Sequence, residues 1–174
     1  MDAIDPNKLW IRMYPDSILR RQAQPIDRAT DQVRQVATSM LELMHETHGV
    51  GLAAPQVGLA WRMFVANPTG EPGGDDVFIN PVLSRPSRRA EQHEEGCLSL
   101  PEIRGMIQRS WSITIDAIGL DGHVIRRNGD DLAARVWQHE TDHLEGVLII
   151  DRMSRADVFA NRQHLRDLDA TAKR

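Results

Sequence analysis

The sequence predicts an α+β fold: antiparallel or mixed sheets packed around a central helix, with an N-terminal helix before them and a C-terminal helix after. Three patterns predict it. Trp111, Ile113, Ile115 and Ala117 alternate with Ser112, Thr114 and Asp116, and Asp121-Gly122 turns the chain back into Val124-Ile125, so the sheet is antiparallel at least locally. Val33, Val36, Ala37, Met40 and Met44 recur at the spacing of one buried helix face between Asp27 and His48. A second stripe, from about Leu132 to Leu144, runs through Leu132 and Val136 directly into His139 and His143.

In chain order, Gly49 is expected to end the first helix. Residues 47–61 carry no Asp, Glu, Lys or Arg but hold three glycines and Pro55, and read as a loop or buried turn. Residues 67–76 and 84–94 have the turn residues and charges of surface loops, with VFINPVL between them as a strand. After the central helix Gly146 is the stop, and VLII reads as a short strand. Ser154, with Asp157 three residues on, resembles a capping box opening a last helix toward Leu168.

The chain has 174 residues, 41% apolar and 26% charged, which suits one compact domain over residues 1–174. Its formal charge of −4 argues against a globally basic nucleic-acid binder, and no DNA partner is expected. The single cysteine, Cys97, excludes an intrachain disulfide and leaves that thiol inert, redox-active or a metal ligand. No apolar stretch approaches the ~20 residues of a membrane span. The opening MDAIDPNKLW lacks an apolar signal core and is too acidic for a transit peptide, so a cytoplasmic location is expected.

The sharpest signal is His139-Glu140-Thr141-Asp142-His143. Histidines at i and i+4 share one helix face and can reach one ion, while Glu140 sits about 100° round the helix, beside the ion, as a general base would. Cys97, in Glu95-Gly96-Cys97-Leu98-Ser99, is the candidate third ligand. One thiolate with two imidazoles suits zinc or Fe(II), disfavours magnesium and calcium, and leaves a corner for water. In Gly49-Val50-Gly51-Leu52-Ala53-Ala54-Pro55-Gln56 small residues allow a peptide to lie against the backbone, and Gln56 offers an amide donor for a developing oxyanion.

These three segments, GVGLAAPQ, EGCLS and QHETDHLEG, resemble the three motifs of peptide deformylases in order and in spacing. Weaker resemblance runs from Met13 to about Met153, and Arg104 and Arg109 sit where family members carry arginine. The resemblance implies removal of the formyl group from the N-terminal formyl-methionine of new polypeptides. It implies Cys97, His139 and His143 as ligands of one divalent metal, natively Fe(II), with Zn(II) or another ion able to replace it. It implies Glu140 as the acid/base, Gln56 and the Leu98 backbone N–H facing the formyl oxygen, and Val50, Gly51 and Gly96 pairing with the substrate backbone. Glu95, Leu132 and Val136 are then expected to line the methionine pocket. Two positions depart from the pattern: Asp131, where members usually have glycine, and Gln108, where proline is common. A carboxylate at 131 is expected to act as a helix cap or first-turn charge.

Two other readings compete. A zinc endopeptidase also uses a helical HExxH but places its third ligand downstream, where only His164 follows. A deformylase-like binding protein without turnover would hold metal yet release no formate. His45, His48 and His93 read as surface residues, and Asp142 as pointing away from the metal face. Residues 152–174 hold six Lys or Arg against three Asp, which admits a ribosome contact through the C-terminal helix beside the plainer reading of a solvated face.

Overall fold

The structure, a computed structural model, describes residues 4–171. The chain runs α1 (Asp31–Glu46), β1 (Gly51–Ala53), β2 (Met63–Ala66), β3 (Asp76–Ser84), β4 (Ala90–Cys97), β5 (Leu100–Ser110), β6 (Ser112–Ile118) and β7 (Val124–Asp130). It then forms α2 (Asp131–Leu144), α3 (Ile149–Arg152), α4 (Arg155–Ala160) and α5 (Arg162–Thr171). One sheet has the order β1-β2-β3-β6-β7, each neighbouring pair antiparallel, and β4 and β5 form a separate antiparallel hairpin.

The larger sheet is covered on both faces. Met63 and Val65 of β2 pack with Met40 and Met44 of α1, whereas Phe64 and Ala66 pack toward Trp137 and Ala134 of α2. That two-sided burial explains why β2 is apolar throughout. Phe64, Phe78 and Trp137 form an aromatic cluster under α2, the first pair tilted and the second edge-to-face, with ring centroids 4.9 and 5.6 Å apart. A third cluster joins Leu19, Leu100, Ile103, Leu148 and Ile149, with Leu165 and Leu168 of α5 packed against it.

Several elements differ from the sequence reading. Helix α1 starts at Asp31, after the Thr30 hydroxyl accepts from the Val33 N–H at 3.3 Å, and its end turns through His48 in the left-handed region (φ 55°), before Gly49. The segment after Gly146 is helical at Ile149–Arg152, because the Asp151 carboxylate accepts from the Leu148 N–H and Ile149 is drawn into the third cluster. The expected last helix is broken at Asn161, whose amide nitrogen donates to the Arg104 carbonyl of β5 at 2.8 Å. The second expected loop becomes strand β4 from Ala90, which is polar almost throughout, and β5 was not foreseen, because its buried positions mix Leu100, Ile103 and Ile107 with Gly105 and Arg109. Leu132 is 45% exposed rather than buried. Asp130, not Asp131, occupies the cap of α2, and its side chain makes no capping bond; Asp131 is instead the first-turn charge that was the other expectation, at φ 47°.

Candidate metal centre and active-site cleft

Helix α2 lays His139, Glu140 and His143 along the side that meets β1 and the end of β4. Cys97 closes β4 immediately before the turn at Leu98 and Ser99. The ligating atoms of Cys97, His139 and His143 all lie within 4.8 Å of one another, and Cys97 Sγ is 3.3 Å from His143 Nε2. Zn–S and Zn–N bonds of 2.0–2.3 Å in a tetrahedron would set such atoms about 3.5 Å apart. His139 Nδ1 bonds Glu95 Oε2 at 3.0 Å, which leaves Nε2 for an ion.

The surroundings shift the two imidazoles in opposite directions. Burial alone would lower the His139 pKa, but the bonds to Cys97 and Glu95 and the nearby Glu140 raise it to about 10. His143 is driven well below its ordinary value by burial and by the positive charges of His139 and Arg109. Burial pushes Glu140 up to about 7 against the pull of His139 and Arg109. Glu140 Oε2 and His143 Nδ1 are buried and without a hydrogen-bond partner among the described residues. A Cys/His/His triangle with an unpartnered buried carboxylate beside it fits one thiophilic divalent ion and a water.

A cleft of about 610 Å³ opens over this centre. Val50, Gly51, Gln56, Glu95, Gly96, Cys97, Leu98, Leu132, Val136, His139 and Glu140 all border it, so nearly the whole expected set is brought together; His143 lies deeper. The Gln56 Oε1 accepts from the Ala53 N–H at 2.8 Å, which turns its amide nitrogen toward Ser99 Oγ (3.3 Å) and Cys97 Sγ (3.6 Å).

Glu95 does more than border a pocket. Its carboxylate is clamped by Arg109 through two bonds of 3.0 Å, by Arg135 at 2.6 Å and by His139. Burial would raise its pKa, yet the bonds from His139 and Arg109 and their positive charges hold it far below the carboxylate range. Asp142 points away from the ligands, as expected, and accepts from Arg109 and Arg152. His45, His48 and His93 are exposed, His93 on a strand rather than a loop. Arg135 was missed by sequence reasoning, although an arginine one turn before His139 on an inward face signals a buried partner.

Comparison with known proteins agrees with this arrangement. The family model for polypeptide deformylase matches residues 8–158. A peptide deformylase of Thermotoga sp. strain RQ2 is 42% identical over 94% of this chain and 98% of its own length. The chloroplastic peptide deformylase 1B of Oryza sativa subsp. japonica is 42% identical over 92% of this chain, which spans 61% of that relative. The crystal structure of Arabidopsis thaliana peptide deformylase 1B with an inhibitor superposes with a TM-score of 0.89 at 39% identity, covering 94% of this chain and 91% of that one. Thermotoga maritima peptide deformylase superposes at 0.80 with 40% identity over 84% and 97%. Sequence, fold and the two motif-bearing walls of the cleft thus lead to one assignment: the chain belongs to the peptide deformylase family.

Proposed function

We propose that the protein hydrolyses the formyl amide at the N-terminal formyl-methionine of newly made polypeptides, releasing formate and a free amine. The observation that carries this reading is the Glu140 carboxylate, buried beside the Cys97, His139 and His143 cluster and bordering a cleft of about 610 Å³. Cys97, His139 and His143 would hold the metal, natively Fe(II), with Zn(II) or another divalent ion able to take its place. When bound, the ion supplies Lewis acidity that brings the pKa of water from 15.7 to about 7 and polarises the formyl carbonyl.

Glu140 accepts the proton of the attacking water and passes it to the departing amine. The Gln56 amide and the Leu98 backbone N–H donate to the oxygen that gains charge at the formyl carbon; one such donor is worth ~3 kcal/mol of barrier. Val50, Gly51 and Gly96 pair with the substrate backbone. Leu132, Val136 and the Glu95 stem line the methionine pocket, where apolar packing discriminates by ~1–3 kcal/mol per methylene.

A ribosome contact through the C-terminal helix is part of the proposal. Leu165 and Leu168 of α5 pack inward while Arg162 and Arg166 are exposed; sedimentation with ribosomes before and after deleting the tail tests it. The cytoplasmic location also stays within the proposal, since the relatives include bacterial and chloroplastic proteins. The central test is formate release from formyl-Met-Ala-Ser by metal-loaded wild type and Glu140→Ala. The variant is expected to keep its metal and lose turnover; wild-type turnover in it would overturn the mechanism.

A further inference from the structure

We propose that Arg135 is a positioning residue for the metal centre: it steadies Glu95 behind His139 and fastens helix α2 to the β4–β5 hairpin, so that the Cys97 sulfur and the two imidazoles keep one separation. The inference rests on the reading of Cys97, His139 and His143 as ligands. Those residues come from two separate bodies of structure. Cys97 ends β4, the histidines ride on α2, and the β4–β5 hairpin shares no strand pairing with the five-stranded sheet. Backbone ladders therefore do not set the distance from sulfur to imidazole, and the side chains bridging hairpin and helix must.

Arg135 makes three such bridges from one guanidinium. Its Nη1 donates to Glu95 Oε1 at 2.6 Å and to the Ile107 carbonyl of β5 at 3.0 Å, and its Nη2 donates to the Glu91 carbonyl of β4 at 2.8 Å. No other α2 side chain among the described residues reaches both strands. Gln138 bonds Ser110 of β5, His139 bonds Glu95 of β4, and Asp142 bonds Arg109 of β5. Arg109 pairs with Glu95 within the hairpin and reaches α2 only at Asp142, beyond His139, so it does not hold the turn of helix that precedes that imidazole. Arg135 also lies one helical turn before His139 on the same face, so its pull on Glu95 is exerted directly behind the imidazole. The Glu95 and Arg135 side chains border the cleft yet are only 6% and 12% exposed.

The test uses full-length Arg135→Met and Arg135→Lys beside wild type. Loss of metal to a chelator, the absorption of the cobalt(II)-loaded protein, and kcat and KM for formyl-Met-Ala-Ser are measured. Arg135→Met keeps the length of the stem and leaves Glu95 paired with Arg109. It is expected to lose metal ~10–100-fold faster, to shift the cobalt spectrum, and to lower kcat with KM within about twofold. Arg135→Lys keeps the charge but its ammonium cannot fork to both strands, so faster metal loss is expected there too. Wild-type metal retention with an unchanged spectrum in folded Arg135→Met overturns the proposal, as does a rise in KM alone, which would make Arg135 a pocket wall. If Arg135→Met does not fold, Arg135→Lys is judged by the same criteria. Cys97→Ser separates the underlying reading: wild-type metal retention in that variant overturns the metal centre itself.

Discussion

A Cβ on residue 51 would stand 2.5 Å from Oε1 of Glu140, so strand β1 approaches helix α2 this closely only because Gly51 has no side chain. The backbone that is expected to pair with substrate and the carboxylate that is expected to move the proton are thereby in direct contact. Gly51→Ala must push Glu140 aside, and a misplacement of about 1 Å can cost ~100-fold in rate. Turnover should fall by at least about that factor while metal content stays at the wild-type level. Unchanged kcat in a metal-replete Gly51→Ala protein would show that the contact does not matter to the reaction.

Gln56 is tied at both ends of its amide, with Oε1 on the Ala53 N–H and Nε2 toward Cys97 and Ser99. Replacing it with leucine removes the donor, and kcat should drop ~100–1,000-fold. It also leaves the buried Ala53 N–H unpaired, at a cost of about 1–3 kcal/mol in stability. Steady-state kinetics and a denaturant titration read the two effects separately; a large rise in KM with kcat preserved would argue against an oxyanion role.

Asp131 opens α2 at φ 47°, a conformation that glycine adopts freely and a residue with a Cβ adopts at a cost. The departure from the family's usual glycine is therefore paid in backbone strain, with no capping bond from Asp130 in return. Asp131→Gly should stabilise the fold by about 1 kcal/mol, or ~2–4 °C in Tm for a chain of this size. Asp131 is exposed and does not border the cleft, so turnover should be unchanged. A lower melting temperature would refute the strain argument.

Metal removal should cost stability as well as activity. An ion bound only by the folded state adds ~4 kcal/mol when free metal is about 1,000 times Kd. Calorimetry on chelator-stripped protein is expected to show a lower Tm that returns on adding Zn(II) or Co(II). The same additions to Cys97→Ser should restore much less of it. Equal melting of stripped and loaded wild type would speak against a site built from these three side chains.

By itself the sequence determined whatever depends on neighbours a few residues away. The apolar stripe of α1, the turn at Asp121-Gly122 and the i, i+4 pair His139 and His143 are all set by local geometry and lie where their spacing predicted, whereas the α2 stripe holds from Val136 onward and Leu132 turns outward. Tertiary structure decided the rest. Val147 to Ile150 were read as a strand, but Ile149 and Asp151 found partners that favour a turn of helix. Residues 90–97, polar on paper, became the strand that carries Cys97 to the helix. Glu95 acquired Arg109, Arg135 and His139 from positions 14, 40 and 44 residues away. A window of sequence cannot weigh such pairs: a buried carboxylate chooses its cations by distance in space, and folding alone sets that distance.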